Sequence, residues 1–448
     1  MAERKLPRAW LLPAAVLLAT LALAASGGQR RAAACAFLRT PSAYEAEQAR
    51  TSYLAAIDAA AVDGLFPGDS YFGLPQLMAG TRAARVPAAR RVPSTVLKAI
   101  SWEESTLTMA SRATRFESTG PALVSFDCGH GAMQVTTGMT VPLGTGADAS
   151  ARQVNVATHY VYNVARGVAI LADKWNQAPA LRPIVGTDTG GDPNLIENWY
   201  YAVWAYNGFA GPGSSSTNHP LDPLLGAWPR PAYRCDGTQA RNRYPYQELV
   251  WGCMANPPER FGRKLWTPLP ATLPDFSLPQ FFGPMSLARW VFPYSGMDLP
   301  TAQPAHLDLG AGAPPGFRDR ALGAPTLGIS SGSVVIRLNG TPQEQRATIR
   351  VQNPGTGILT WYASSTDRWI VVDPPAGVAL GSDVACAAPD CTREAAVTIT
   401  VNPTLLPQAN LVGTLRITAA NGQLSERSVR VEVNANFDVA APGTGRAY

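Results

Sequence analysis

Between Asn256 and Pro325 the chain turns dense in proline and glycine, with Pro268-Leu269-Pro270, Leu273-Pro274 and Ala313-Pro314-Pro315-Gly316. Proline removes a backbone donor and stiffens the chain, so such a stretch reads as an extended linker or a loop lying on a surface. Its aromatic residues, Trp266, Phe276, Phe281, Phe282 and Trp290, predict that part of it packs on a folded body. The hydrophobic period differs on its two sides. Before it, apolar residues recur at helical intervals: accessory helices are expected over 36–90 (Tyr44, Tyr53, Leu54, Ile57, Ala61), then helices from Ser94 through Leu97, Ile100 and Glu104, over 154–175 and over 195–206. Beyond Leu327 short alternating segments take over, at 334–338, 347–352, 359–363, 369–372, 396–401, 413–417 and 428–433, with Asn421-Gly422 as a hairpin turn. That many short strands in roughly one sandwich's length predict a Greek-key β-sandwich.

The fold class that follows is a multidomain α + β protein, an α-helical domain followed by a C-terminal immunoglobulin-like β-sandwich. The expected segments are 1–26, an export signal; 36–90, accessory helices; 91–255, the main helical domain; 256–326, the linker; 327–437, the sandwich; and 438–448, a flexible tail. With 448 residues, 15% of them charged and 46% hydrophobic, the chain exceeds one ordinary core and is globular. Its formal net charge of +5 is too mild to point to nucleic acid; an ordinary soluble surface is the simpler reading than attraction to an anionic cell wall.

Arg4, Lys5 and Arg8 precede an apolar run from Ala9 to Ala25, followed by Ser26-Gly27-Gly28. This is the pattern of a secretory signal peptide, and the run is short of the roughly 20 residues of a membrane span. Export makes the six cysteines candidates for disulfides. Cys386 and Cys391 flank a tight loop, Cys235 and Cys253 bracket an irregular polar segment, and Cys35 and Cys128 remain for each other. Gln29-Arg30-Arg31 separates Cys35 from the apolar run and argues against a lipid-modified Cys35. The four histidines, at 130, 159, 219 and 306, form no zinc-type spacing with cysteine, so no metal site and no cofactor is expected.

Two adjacent acids, Glu103 and Glu104, lie at the end of the helix that starts at Ser94. On a helical projection Glu104 falls about 40° from the centre of the Val96, Leu97, Ile100 and Leu107 stripe and Glu103 about 60°, so geometry alone leaves both open. A carboxyl facing a core has its pKa raised, as a general acid at neutral pH requires.

The run Trp102-Glu103-Glu104-Ser105 is followed by Gly131-Ala132-Met133-Gln134, by Asn163 and Gly167 on one helix, and by Ala205-Tyr206-Asn207-Gly208. In order and spacing these four blocks, over roughly residues 92 to 213, resemble the lysozyme-like domain of soluble lytic transglycosylases and goose-type lysozymes. The resemblance implies that Glu104, which precedes Ser, is the catalytic acid. It also implies that Ser105, Met133, Gln134, Asn163, Tyr206 and Asn207 serve the sugar groove, with Tyr206 beside the acid. Core packing is the competing role for Met133, and a structural one for Asn163 and Gly167. Ala132 stands where the family often has Leu. Trp102, Trp199 and Trp204 are candidates for stacking on sugars or for the core.

The implied activity is cleavage of the β-1,4 bond between N-acetylmuramic acid and N-acetylglucosamine in peptidoglycan glycan strands, leaving 1,6-anhydro ends. After Gln134 the sequence reads Val135-Thr136-Thr137-Gly138, without the second carboxylate a retaining hydrolase uses, and only Asp127 lies near. The alternatives are a goose-type hydrolase and a catalytically silent glycan-binding envelope protein. In the last region, Asn353 to Trp361 with Trp369-Ile370-Val371-Val372-Asp373-Pro374-Pro375-Ala376-Gly377 resembles the BACON group of immunoglobulin-like modules. That implies an independently folded module outside the groove, with an envelope or carbohydrate ligand of its own.

Overall fold

The computed structural model describes residues 35–140, 149–178, 183–209, 218–281, 297–310, 312–389, 391–407, 410–422 and 425–434. The expected export signal and tail, with Phe282 and Trp290, lie outside them. No helix among the described residues is long and apolar enough to cross a membrane. The architecture is mixed α + β, a helical region followed by a β-sandwich.

The helical region is built from α1 (Thr51–Ala60), α2 (Ser94–Ser105), α3 (Ala151–Thr158), α4 (Tyr160–Asn176), α5 (Tyr200–Asn207) and α6 (Tyr246–Ala255). The 36–90 segment holds one helix, and Tyr44 sits on a strand: β1 (Ser42–Glu45) pairs antiparallel with β4 (Ser118–Pro121), while β2 (Met78–Gly80) pairs with β3 (Arg85–Pro87). The expected helix over 154–175 breaks at His159, whose extended backbone ends α3 and whose Nδ1 accepts the Val161 N–H to start α4. Burial drives the His159 ring down to about 3, so it stays neutral and able to accept. A capping box between Ser150 and Gln153 opens α3.

Ser94 does not cap α2. The helix begins on Pro93, and the first-turn N–H of Thr95 is met 2.7 Å away by Asp308 Oδ2, a carboxylate placed where the helix dipole favours negative charge.

Asp308 belongs to the stretch expected to be a linker, and that stretch is part of the helical core. Phe276, Phe281, Met297 and Leu299 are all at most 1% exposed. Leu299 exchanges backbone bonds with Ile184 and Gly186, and Glu197 accepts bonds from the backbone of Thr272 and of His306 and lies 2.8 Å from His306 Nδ1. The prolines stiffen a strap whose aromatic and aliphatic side chains fill the space beside α5 and α6. A short hairpin, β5 (Glu259–Arg260) and β6 (Arg263–Lys264), starts it, and the helix α7 (Phe317–Leu322) ends it.

The sandwich has nine strands: β7 (Gly328–Ile329), β8 (Ser333–Arg337), β9 (Arg346–Gln352), β10 (Ile358–Ser364), β11 (Ile370–Asp373), β12 (Ala376–Leu380), β13 (Ala395–Val401), β14 (Asn410–Ala419) and β15 (Glu426–Asn434). One sheet runs β12-β10-β14-β15-β8, with β8 parallel to β15, and the other runs β11-β13-β9-β7. Between them lies a core of Trp361, Ile336, Ile349, Val397, Leu415 and Val431.

The sandwich docks on the helical region. On β12, Ala379 joins the sandwich core, while Val378 and Leu380, with Ile358 of β10, join the core of the helical region, and Ala376 meets Val154 of α3. A strand reading Ala-Gly-Val-Ala-Leu is buried on both faces, which is why it lacks polar alternation. Asn155 of α3 seals the junction: its Nδ2 donates to the Ala420 carbonyl at 2.9 Å and its Oδ1 accepts from Thr360 Oγ1 at 2.5 Å. Tyr44 OH adds a bond to the Ala385 carbonyl at 2.8 Å. Each apolar side chain buried here contributes about 1.5–3 kcal/mol.

Asn155→Ala leaves the Ala420 carbonyl and the Thr360 hydroxyl unpaired and is expected to cost about 1–3 kcal/mol, read as a lower melting temperature of the whole chain. Ending the chain at Pro325 exposes Val154 and Tyr44 as well, and the product is expected to aggregate or melt far below the full chain. A truncate as stable as the helical region of the intact protein would show that the junction is dispensable.

Candidate active site

Glu104 is the penultimate residue of α2 and is only partly exposed. Its Oε1 accepts a hydrogen bond of 2.5 Å from the hydroxyl of Tyr246, the first residue of α6. Burial pushes its carboxyl up to about 7. The Tyr246 bond and the Arg241 charge pull against that rise, while the Glu103 and Asp127 charges add to it. Half or more of such carboxyls carry their proton at or below neutral pH, so the group can act as an acid and, once ionised, as a base.

The rest of the α2 end is scaffold. Ser105 is buried and does not face a groove: its Oγ lies 2.8 Å from the Ala132 carbonyl, as its donor, and accepts the Thr108 N–H at 3.0 Å. Ser101, one turn earlier, donates to the same carbonyl at 3.1 Å. The 131–134 turn is held from the other side by Asn163 of α4, fully buried, whose Oδ1 accepts the Met133 N–H at 2.8 Å. Asn163 Nδ2 donates to the carbonyls of His130 and Val156, at 2.7 and 2.9 Å.

Met133 is fully buried, pressed on Gly167, where an added Cβ would stand 2.5 Å from the Met133 Cβ. Gly131 has φ +65°, and a Cβ there would meet Met109 Sδ at 2.6 Å and Asn163 Nδ2 at 2.7 Å. The Gly-x-Met-Gln spacing is therefore a packing requirement, with Ser105, Met133 and Asn163 as its buried fixtures. Gln134 is partly exposed, with Nε2 bonded to the Gly131 carbonyl at 2.9 Å.

Tyr206 of α5 donates to the Met133 carbonyl at 2.7 Å and does not bond to the acid; Glu104 still pushes up its hydroxyl by charge, after burial. The tyrosine on Glu104 is Tyr246. The sequence offers a helix start there, in Tyr244-Pro245-Tyr246 ahead of an apolar run, but nothing local that says where its hydroxyl points. Asn207 is exposed and accepts from Asn218 Nδ2 at 2.9 Å, and Asn218 Oδ1 in turn accepts the Tyr246 N–H at 3.1 Å, so the Asn207 and Tyr246 ends are linked. Trp199 and Trp204 are fully buried, and Trp102 is covered by Arg260, whose guanidinium carbon lies 5.5 Å from its ring centre.

Glu103 points to the opposite wall, 6% exposed, with Arg241 Nη2 at 2.6 Å from its Oε2. Burial raises its pKa in spite of that cation. The three disulfides are Cys35–Cys128, Cys235–Cys253 and Cys386–Cys391, paired as the sequence suggests. Among the described residues one group of potential metal ligands gathers, Glu103 with Cys235 and Cys253, and the disulfide uses both sulfurs. Three disulfides belong to an oxidising compartment outside the cytoplasm.

No protein-family model matches the chain, and no curated protein matches it. Solved structures that are similar include chaperones and a PapD-like domain. The YadV chaperone is 13% identical over 25% of this chain and 52% of its own, with a TM-score of 0.19. The E. coli chaperone DraB is 12% identical over 25% and 57%, TM-score 0.20. PapD-like domain 7 of human CEP192 is 12% identical over 30% and 96%, TM-score 0.18. The chain thus spans about half the length of the chaperones it matches, and likenesses this slight carry no argument about activity.

A carboxyl whose native pKa exceeds its unfolded value binds its proton more tightly in the folded state, so its ionisation costs stability as pH rises from about 4.5 through about 7. Glu104→Gln keeps an acceptor for Tyr246 and removes that cost. The variant is expected to match the parent in stability at pH 4.5 and to exceed it at pH 8 by on the order of 1–2 kcal/mol, after discounting for the partly exposed carboxyl, read from denaturant unfolding at the two pH values. An equal difference at both pH values would mean that Glu104 titrates normally.

Proposed function

We propose that the chain is an exported lytic transglycosylase that cleaves the β-1,4 bond between N-acetylmuramic acid and N-acetylglucosamine in peptidoglycan. The observation that carries this reading is a partly exposed glutamic acid, held by Tyr246 at the end of α2 and pushed up to about 7, on a scaffold that gives each of the four sequence blocks a physical role. Protonated Glu104 donates to the glycosidic oxygen as the bond to C1 breaks, with the substrate's own N-acetyl group sharing the positive charge. The resulting carboxylate then takes the proton of the C6 hydroxyl as that oxygen closes on C1, which leaves a 1,6-anhydro sugar and restores the acid. The two proton transfers need no cofactor.

One observation favours hydrolysis as a second reading. Asp127 is exposed, is held by Ser125 at 2.5 Å, and its charge adds to the rise of the Glu104 pKa. A retaining or inverting hydrolase would need it to attack or to activate water. Its ties to Ser125 and its solvent exposure favour the single-acid route. The free part of the sandwich's outer face, on β14, β15 and β8, with Thr414, Arg416, Arg430 and Val335 exposed, is where an envelope or carbohydrate ligand would have room.

Purified peptidoglycan digested with the full chain is expected to release fragments with 1,6-anhydromuramic acid ends, detected by mass spectrometry; reducing ends as the main product would favour the hydrolase. Glu104→Gln is expected to lose at least about 100-fold in rate while staying folded, and Glu103→Gln to lose far less. Activity should fall as pH rises above about 7, because the acid must enter the reaction protonated. A fully active Glu104→Gln enzyme would overturn the assignment.

A further inference from the structure

The loop that precedes α6 is tied to that helix by Cys235–Cys253 and carries a short 3-10 turn, Arg241–Arg243. From this turn Arg241 Nη2 reaches Glu103 twice, 2.6 Å from Oε2 and 2.8 Å from the backbone carbonyl. That carbonyl lies in the last turn of α2, where helix geometry leaves acceptors unmet and a cation is favoured. Glu103 Oε1 faces the disulfide, with Cys253 Sγ at 2.8 Å and Cys235 Sγ at 3.4 Å, and a disulfide has no proton to give it. Among the described residues Arg241 is thus the only cation on this buried carboxylate.

We propose that Arg241 is a positioning residue for the acid: the disulfide-closed loop uses it to clamp Glu103 and the end of α2, and so governs proton transfer at Glu104. This rests on the reading of Glu104 as the acid. Tyr246 of α6 bonds to Glu104, and the charges that act on it are those of Arg241 from the loop, Glu103 from its own helix and Asp127; Tyr206 of α5 feels the Glu104 charge and that of Arg166. Arg241 is the one positive charge among those acting on Glu104, and Glu103 and Asp127 are the negative ones. The clamp has two effects of opposite sign on the acid. It turns the Glu103 carboxylate to the disulfide wall, and it offsets the negative charges that would otherwise hold the proton on Glu104 too firmly to be released.

The test is the pH dependence of kcat in the full-length, disulfide-bonded protein. Arg241→Gln is expected to move the alkaline limb upward by roughly half a pH unit or more, and Glu103→Gln to move it downward, since one change removes a positive and the other a negative neighbour. Arg241→Lys, which restores the charge at one point, is expected to return the limb toward the parent position. With 54% of its side chain exposed, Arg241 can be replaced without opening the core. The Glu104 carboxyl can also be titrated directly by NMR in the same three variants, which separates failure of this inference from failure of the transglycosylase reading. Shifts of opposite sign in that titration would support the clamp even in a protein that cleaves no glycan. Loss of kcat at all pH values with no movement of the limb, or limbs that move the same way in Arg241→Gln and Glu103→Gln, would overturn it.

Discussion

The peptide of Ala132 and Met133 is the fixed point of this structure. The Ala132 carbonyl and Met133 N–H of that peptide, with the Met133 carbonyl of the next, are taken up by side chains from three helices: Ser101 and Ser105 from α2, Asn163 from α4 and Tyr206 from α5. All are buried or nearly so, and in such surroundings an unmet backbone group costs as much as a lost hydrogen bond. The turn can therefore sit in one place only, and it drags the end of α2 with it. Since Glu104 is part of that end, the location of the acid is decided by a peptide it never touches.

The acid's helix is held at both ends by residues far downstream in the chain. Asp308 meets the first turn from the strap, and Arg241 meets the last from the loop before α6. The charges match the helix dipole at each end, negative at the start and positive at the finish. A helix of twelve residues would not hold its register alone, so its placement comes from these tertiary contacts and from the apolar face it buries.

The sequence made the two fold classes legible because hydrophobic period is a local property; the Glu-Ser, Gly-x-Met-Gln and Asn-x-x-x-Gly blocks stood out only through the family they resemble. It was silent wherever the cause was distant. Asp308 as a cap, Tyr246 as the acid's partner and the docking of β12 all join residues more than 100 positions apart, and no local pattern encodes which partner a side chain will find. Tyr206, expected at the acid, bonds instead to the Met133 carbonyl. In the proline-dense stretch the aromatics foretold packing on a folded body: proline sets the backbone, whereas Phe276, Phe281 and Leu299 decide where that backbone lies.

The junction closed by Asn155 also orders events in time. A chain synthesised from its N-terminus displays α3 long before Thr360 and Ala420 exist to cover it. Until they arrive, an apolar face and an unpaired amide stand open to proteases and to other unfinished chains. The last strands thus act as proof of completeness. A molecule cut short by a nonsense codon or a nick carries the whole acid-bearing scaffold and still lacks the surface that would protect it from removal.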